Sequence, residues 1–187
     1  MKFVGVLLAA WAVWGAWAKP VPRAKIAVVK AVTACVAADR AYAATLAEKT
    51  RRWLAEGGVK VDLVEDRALA SALAGRRLVY LVVCQKPSQV HLETLARFRA
   101  QGGRIAALQS YSPELAAAMG APAPKTPRTG PIQVARVPGG WWTANLFGAT
   151  GSEEAKARTL LEMAAAAVPG SWSAPVWEAR RAARLAA

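Results

Sequence analysis

Few side chains in this 187-residue sequence can do chemistry: there is one histidine, there are two cysteines, and 12 carboxylates stand against 25 lysines and arginines. A metal site built from Cys and His lacks ligands, and a Ser–His–Asp triad would have to use His91. Glu65-Asp66 is an adjacent carboxylate pair at a strand-to-helix junction, where such pairs serve mainly as solvated caps. Ser110 can be a nucleophile only with a base within hydrogen-bond reach. None lies near it in sequence, and a serine just before Ser112-Pro113 reads as turn chemistry. Cys84 could be a reactive thiol if Lys86 lowered its pKa; the competing reading is a buried or bridged cysteine. Trp141-Trp142, behind Gly139-Gly140, could form a stacking platform for sugar rings or cover a sheet edge. No Gly-x-Gly-x-x-Gly or Walker loop is present, so no nucleotide cofactor is expected, and no metal.

The elements that must position these groups follow from apolar patterning. Short apolar runs at Lys25–Val29, Val59–Val64, Leu78–Val83 and Arg104–Leu108 read as strands. Asp39 can cap a helix whose Tyr42, Leu46, Thr50 and Trp53 share one face, ended by Gly57-Gly58. Arg67–Leu73 is a short helix stopped by Gly75. Pro87-Ser88 opens a helix with Leu92, Leu95 and Phe98 inward. Ser112-Pro113-Glu114 supplies a cap, a first-turn proline and a carboxylate for a helix that stops at Gly120. After the Pro-rich stretch 121–131, Ile132–Val137 is read as one further strand. A helix follows Ser152, and a final short helix carries Trp177, Arg180, Arg181 and Arg184.

Strands alternating with helices predict an α/β, three-layer, flavodoxin-like domain with a mostly parallel sheet of about five strands. The expected order is 2-1-3-4, with the fifth strand beyond the fourth. Ligand sites in such sheets lie at the carboxyl ends of the strands, which selects Gln85, Gln109, Ser110 and Tyr111, with Trp141 and Trp142 nearby. Cys35 and Cys84 fall near the same edge, so a Cys35–Cys84 disulfide is a candidate beside two separate buried thiols.

Lys2, the apolar run Phe3–Trp14 and Ala16-Trp17-Ala18 have the layout of a secretory signal peptide. The expectation is cleavage after Ala18, leaving an exported domain over 19–173 and a tail helix over 174–187, periplasmic or extracellular, with no later membrane span. The formal net charge is +13. Its arginines (Arg51-Arg52, Arg76-Arg77, Arg97, Arg99, Arg104, Arg180-Arg181) are scattered, which reads as a solvated basic surface rather than a nucleic-acid stripe. Such a charge attracts polyanions at low salt, with acidic polysaccharides among the candidates.

The segment Gly102–Gly120 (GGRIAALQSYSPELAAAMG) has a Gly-Gly, an apolar strand, a sharp turn and a helix ending in Met-Gly. It resembles the nucleophile elbow of class I glutamine-amidotransferase-like domains. The resemblance implies a cysteine at the turn; here that position is Gln109, with Ser110 next to it. The flanking glycines and a downstream His-x-Glu dyad are absent. A narrower resemblance rests on the signal, on KIAVVKA, on Gly102-Gly103-Arg104 and on Lys156–Trp172. It is to exported proteins of the family-ten glycosylhydrolase group, in which such a domain precedes a TIM barrel. Glycosidase chemistry would belong to that barrel and does not carry over. These resemblances imply a non-catalytic binding or accessory module linked to carbohydrate processing, with a barrel-bearing glycosidase-like protein as a possible partner. The alternatives are a small hydrolase using Ser110 or Cys84, and a structural domain that docks its final helix on another protein.

Overall fold

A computed structural model of the chain describes residues 24–122 and 129–186. The signal-peptide expectation lies outside the described residues. The elements are β1 (Ile26–Lys30), α1 (Arg40–Glu56), β2 (Val61–Glu65), α2 (Leu69–Leu73), β3 (Leu78–Val82), α3 (Gln89–Ala100), β4 (Arg104–Leu108), α4 (Pro113–Met119), β5 (Ala135–Val137), β6 (Gly140–Thr143), α5 (Glu153–Ala167) and α6 (Ala174–Leu185). They build an α/β fold on one six-stranded sheet ordered β2-β1-β3-β4-β6-β5. All pairs are parallel except β5 with β6.

Period-two alternation sorts the strand side chains between two cores. Ile26, Val28, Leu78, Tyr80, Leu108 and Trp141 face the layer of α1, α5 and α6. Val29, Val79, Leu81, Ile105 and Trp142 face the layer of α2, α3 and α4. β3 is buried at every position, as its unbroken apolar run requires of a central parallel strand. Tyr80 is fully buried yet satisfied, because its hydroxyl donates to Leu160 O at 2.6 Å.

Three local readings change. Tyr42 is 47% exposed, and α1 buries Ala43, Leu46, Ala47, Thr50, Trp53 and Leu54 instead. The strand next to β4 is not the 132–137 stretch but β6, and β5 is a three-residue antiparallel edge beyond it. Gly140 makes this pairing possible: a Cβ there would sit 1.9 Å from Ile105 O. The final helix does dock, but on its own domain. Trp177 is 5% exposed in the α1–α5 core and meets Trp172 edge-on at 6.0 Å. Arg181 pairs with Glu154, and Arg158 with Glu178 at 3.3 Å. No helix among the described residues is long and apolar enough to cross a membrane.

Candidate functional site

The parallel register brings the ends of β1, β2, β3, β4 and β6 to one edge, where the loop after β1 meets the turn after β3. Gln85 N and Lys86 N both donate to Ala34 O at 2.8 Å. Gln85 is a strut in this junction: its Oε1 accepts from Val36 N at 3.3 Å and its Nε2 donates to Asp39 Oδ2 at 2.9 Å. Asp39 therefore stands at the N-cap position of α1 without capping it. Asp66 is not a solvated cap. It is 3% exposed, and its carboxylate accepts from Thr33 N at 2.9 Å and Ala34 N at 2.7 Å, pinning the β1 loop.

The two cysteines flank this junction on opposite sides of the sheet. Cys35 packs with the α1 layer and Cys84 with the α2–α3 layer. Both are free, so the Cys35–Cys84 bridge is not formed; their side chains belong to different cores. The Cys35 thiol donates to Ala31 O at 3.3 Å. Burial, reinforced by the Asp66 carboxylate, pushes the Cys84 thiol up to about 12. A thiol held up in this way is protonated at neutral pH, unlike one activated by a neighbouring cation.

His91 lies beside Asp66 and Cys84 around a cavity of about 10 Å³, roughly the room of one water. Its Nδ1 accepts from Ser88 N at 3.2 Å in a capping box, and its Nε2 stands 3.2 Å from Asp66 O. With Nδ1 accepting, Nε2 carries the proton. Both ring nitrogens hold main chain, so the histidine is a structural clasp. Ser110 is fully buried; its Oγ accepts from Cys84 N at 3.1 Å and donates to Leu108 O at 3.3 Å. These are its hydrogen-bond partners among the described residues, and through them it ties β3 to β4.

Beyond them the edge is different in kind. The turn β4–Gln109-Ser110-Tyr111-Ser112–α4 is tight, and Gln109 takes φ 52. A non-glycine residue in that region is strained. Gln109 N donates to Thr143 O at 2.8 Å, and its Nε2 donates to Tyr111 Oη at 3.1 Å. Tyr111 in turn donates to Ala144 O, and burial raises its phenol to about 12. Gln109 Oε1 and Thr143 Oγ1 are both buried without a partner among the described residues. Exposed Tyr42 is close enough to Tyr111 to contribute to its shift.

Trp141 and Trp142 do not form the exposed platform. They are 5% and 4% exposed and point into opposite cores from β6. Of the candidate residues, Gln109 and Tyr111 meet directly, Ser110 and Gln85 hold the junction behind them, and the tryptophans lie below the edge. Thr143 was not singled out from sequence, because nothing marks Gly140–Thr143 as a strand. Among the described residues no group of three His, Cys, Asp or Glu can hold a metal. Compared with known proteins, the chain matches no family model, no curated protein and no solved structure.

Proposed function

We propose that this chain is an exported, non-catalytic binding module on a class I amidotransferase-like scaffold, its ligand face lying at the carboxyl ends of β4 and β6. One observation carries the reading. At the position where the elbow resemblance calls for a nucleophile, a strained Gln109 holds an unpartnered buried acceptor beside the unpartnered hydroxyl of Thr143. Strain kept in a sharp strand-to-helix turn is a feature of functional sites. A buried polar atom with no partner is one that a ligand or water can satisfy.

The chemistry at the edge is amide, hydroxyl and phenol, with Gln109, Thr143, Tyr111 and the exposed ring of Tyr42 in the same neighbourhood. Such groups recognise a neutral, hydroxyl-rich ligand, in keeping with a role in carbohydrate processing beside a barrel-type partner. The hydrolase alternative would need an ionised Cys84 or an accessible Ser110. Two measurements test the proposal. Purified protein should show no glutaminase turnover, and turnover abolished by Ser110→Ala or Cys84→Ala would sink it. On a glycan array it should bind at least one neutral oligosaccharide. That binding should fall at least tenfold in Gln109→Ala and Thr143→Val; undiminished binding in both would remove the face from consideration.

A further inference from the structure

The basic residues that look scattered along the sequence come together at the opposite edge of the sheet. Each βα unit returns the chain to the same side, so the residues immediately before the strands line up. Lys60, Lys25 and Arg77 precede Val61, Ile26 and Leu78, which are register partners across β2, β1 and β3. Arg104 opens β4 opposite Leu78. The main chain joins the row directly: Arg77 N donates to Lys25 O at 2.7 Å and Arg104 N to Arg77 O at 2.9 Å. Arg180 of α6 extends the row past Gly58, where a Cβ would meet its Nη1 at 2.6 Å.

All five side chains are exposed. None of them has an ion pair or a side-chain hydrogen bond among the described residues; Arg104 alone has a further contact, 5.8 Å over the Trp141 ring. The carboxylates at this end are already engaged: Asp62 by Arg76 and Ala24 N, Glu56 by Arg52. Helix C-termini also face this edge and favour cations. However, none of the five donates to a terminal carbonyl, so capping does not account for them.

We propose that this amino-terminal edge is a docking row for an acidic polysaccharide with a carboxylate on each sugar. Adjacent strands place the backbones of Lys60, Lys25 and Arg77 at steps of ~4.8 Å, close to the advance of a linear chain per pyranose ring. Lys60, Lys25 and Arg77 share one register level, with Arg104 one position further into the sheet; so narrow a strip suits a single polyanionic strand rather than the two backbones of a duplex. None of the cations in it is interleaved with an exposed aromatic ring of the kind that bases stack on.

The test uses an oligogalacturonate probe at about 50 mM and 200 mM salt, with the full chain and two triple variants of equal charge. One neutralises the row (Lys25→Gln, Lys60→Gln, Arg77→Gln). The other neutralises three exposed cations at the opposite edge (Arg40→Gln, Arg67→Gln, Lys86→Gln). The row variant should bind at least tenfold more weakly at low salt and show a salt slope smaller by two to three. The opposite-edge variant should stay within twofold of wild type. Gln109→Ala should leave this binding unchanged, which separates the row from the ligand face proposed above. The row side chains hold nothing in place, so the triple variant should melt within about 2 °C of wild type; if it does not, the three single variants, each about twofold weaker, replace it. Equal loss in both triples would reduce the row to net charge. No wild-type binding at low salt, or tighter binding of duplex DNA or anionic vesicles than of the uronate, would overturn the proposal.

Discussion

At Gln109 the strain can be separated from the side chain by comparing two variants. With φ at 52, the Cβ sits against the following carbonyl, which costs roughly 1–2 kcal/mol for an L-residue. Both Gln109→Ala and Gln109→Gly remove the hydrogen bond to Tyr111 and the unpartnered Oε1. These two contributions are of opposite sign and similar size, so Gln109→Ala should lie near wild type. Only Gly removes the Cβ clash, against an extra unfolded-state entropy of roughly 0.5–1 kcal/mol. The balance makes Gln109→Gly more stable than Gln109→Ala by up to about 1.5 kcal/mol. In a chain of this size that is about 2–4 °C in Tm per kcal/mol. At an ordinary backbone position the order is the reverse, so the sign alone decides. Urea and thermal unfolding of the three proteins provide the measurement. If Gln109→Ala equals or exceeds Gln109→Gly in stability, the turn is unstrained and the main support for the ligand face is gone. Val83 has φ 57 but is 1% exposed, so removing its side chain would confound strain with packing.

The buried thiols set an alkaline limit. The folded-state pKa of Cys84 is raised from 9.0 to about 12, and that of Cys35 is raised as well, both first by burial. The protonated Cys84 thiol therefore contributes stability that is complete below about pH 9 and is lost as pH climbs toward 12, at up to about 1.4 kcal/mol per pH unit, and the raised Cys35 thiol acts in the same direction. Cys84→Ala should flatten the decline of ΔG between pH 9 and 12, and an unchanged slope would refute this. Correspondingly, a thiol reagent should find neither cysteine at neutral pH until the protein is denatured. Trp177→Ala should destabilise the fold by roughly 3–5 kcal/mol in urea unfolding, since its indole fills the core between α1 and α5; an unchanged midpoint would return α6 to the role of a free docking arm.

Legibility in the sequence depended on whether a signal was local. β4 and α4 were bounded correctly because Gly102-Gly103, Ser112-Pro113-Glu114 and Gly120 each carry a backbone requirement: Gly120 takes φ 64, and Ser112 Oγ accepts from Leu115 N at 3.1 Å. β6 was not legible. Gly139-Gly140 reads as a flexible lead into exposed aromatics, whereas Gly140 is required by the approach of Ile105 O, a partner many residues away. For the cysteines the sequence leaves a bridge and two separate buried thiols both open, for a similar reason. Their proximity to one edge is legible, but the side each faces is set by loops that leave the strand alternation behind. Asp66 and Gln85 likewise look like surface residues until the β1 loop closes over them. For Gln109 the pattern gave the place of the turn but not its strain, because no glycine announces a positive φ there.

The same distinction bears on the charge. Along the chain, Lys25, Lys60, Arg77, Arg104 and Arg180 lie far apart and belong to no contiguous basic stripe. A parallel sheet changes what counts as neighbouring, because every crossover resets the chain to the edge at which it began. Residues one step before each strand are then adjacent, whatever the length of helix and loop between them. β2, β1 and β3 are each preceded by a basic residue, and β4 opens with one. At the far end β6 starts at Gly140, and the position level with Arg104 is Gly139, which takes φ 81 and whose Cβ would meet Arg99 Nε at 2.8 Å. The row therefore stops at β4 for a packing reason, and binding should weaken when Lys60, Lys25 or Arg77 is neutralised but not when Arg136 on β5 is.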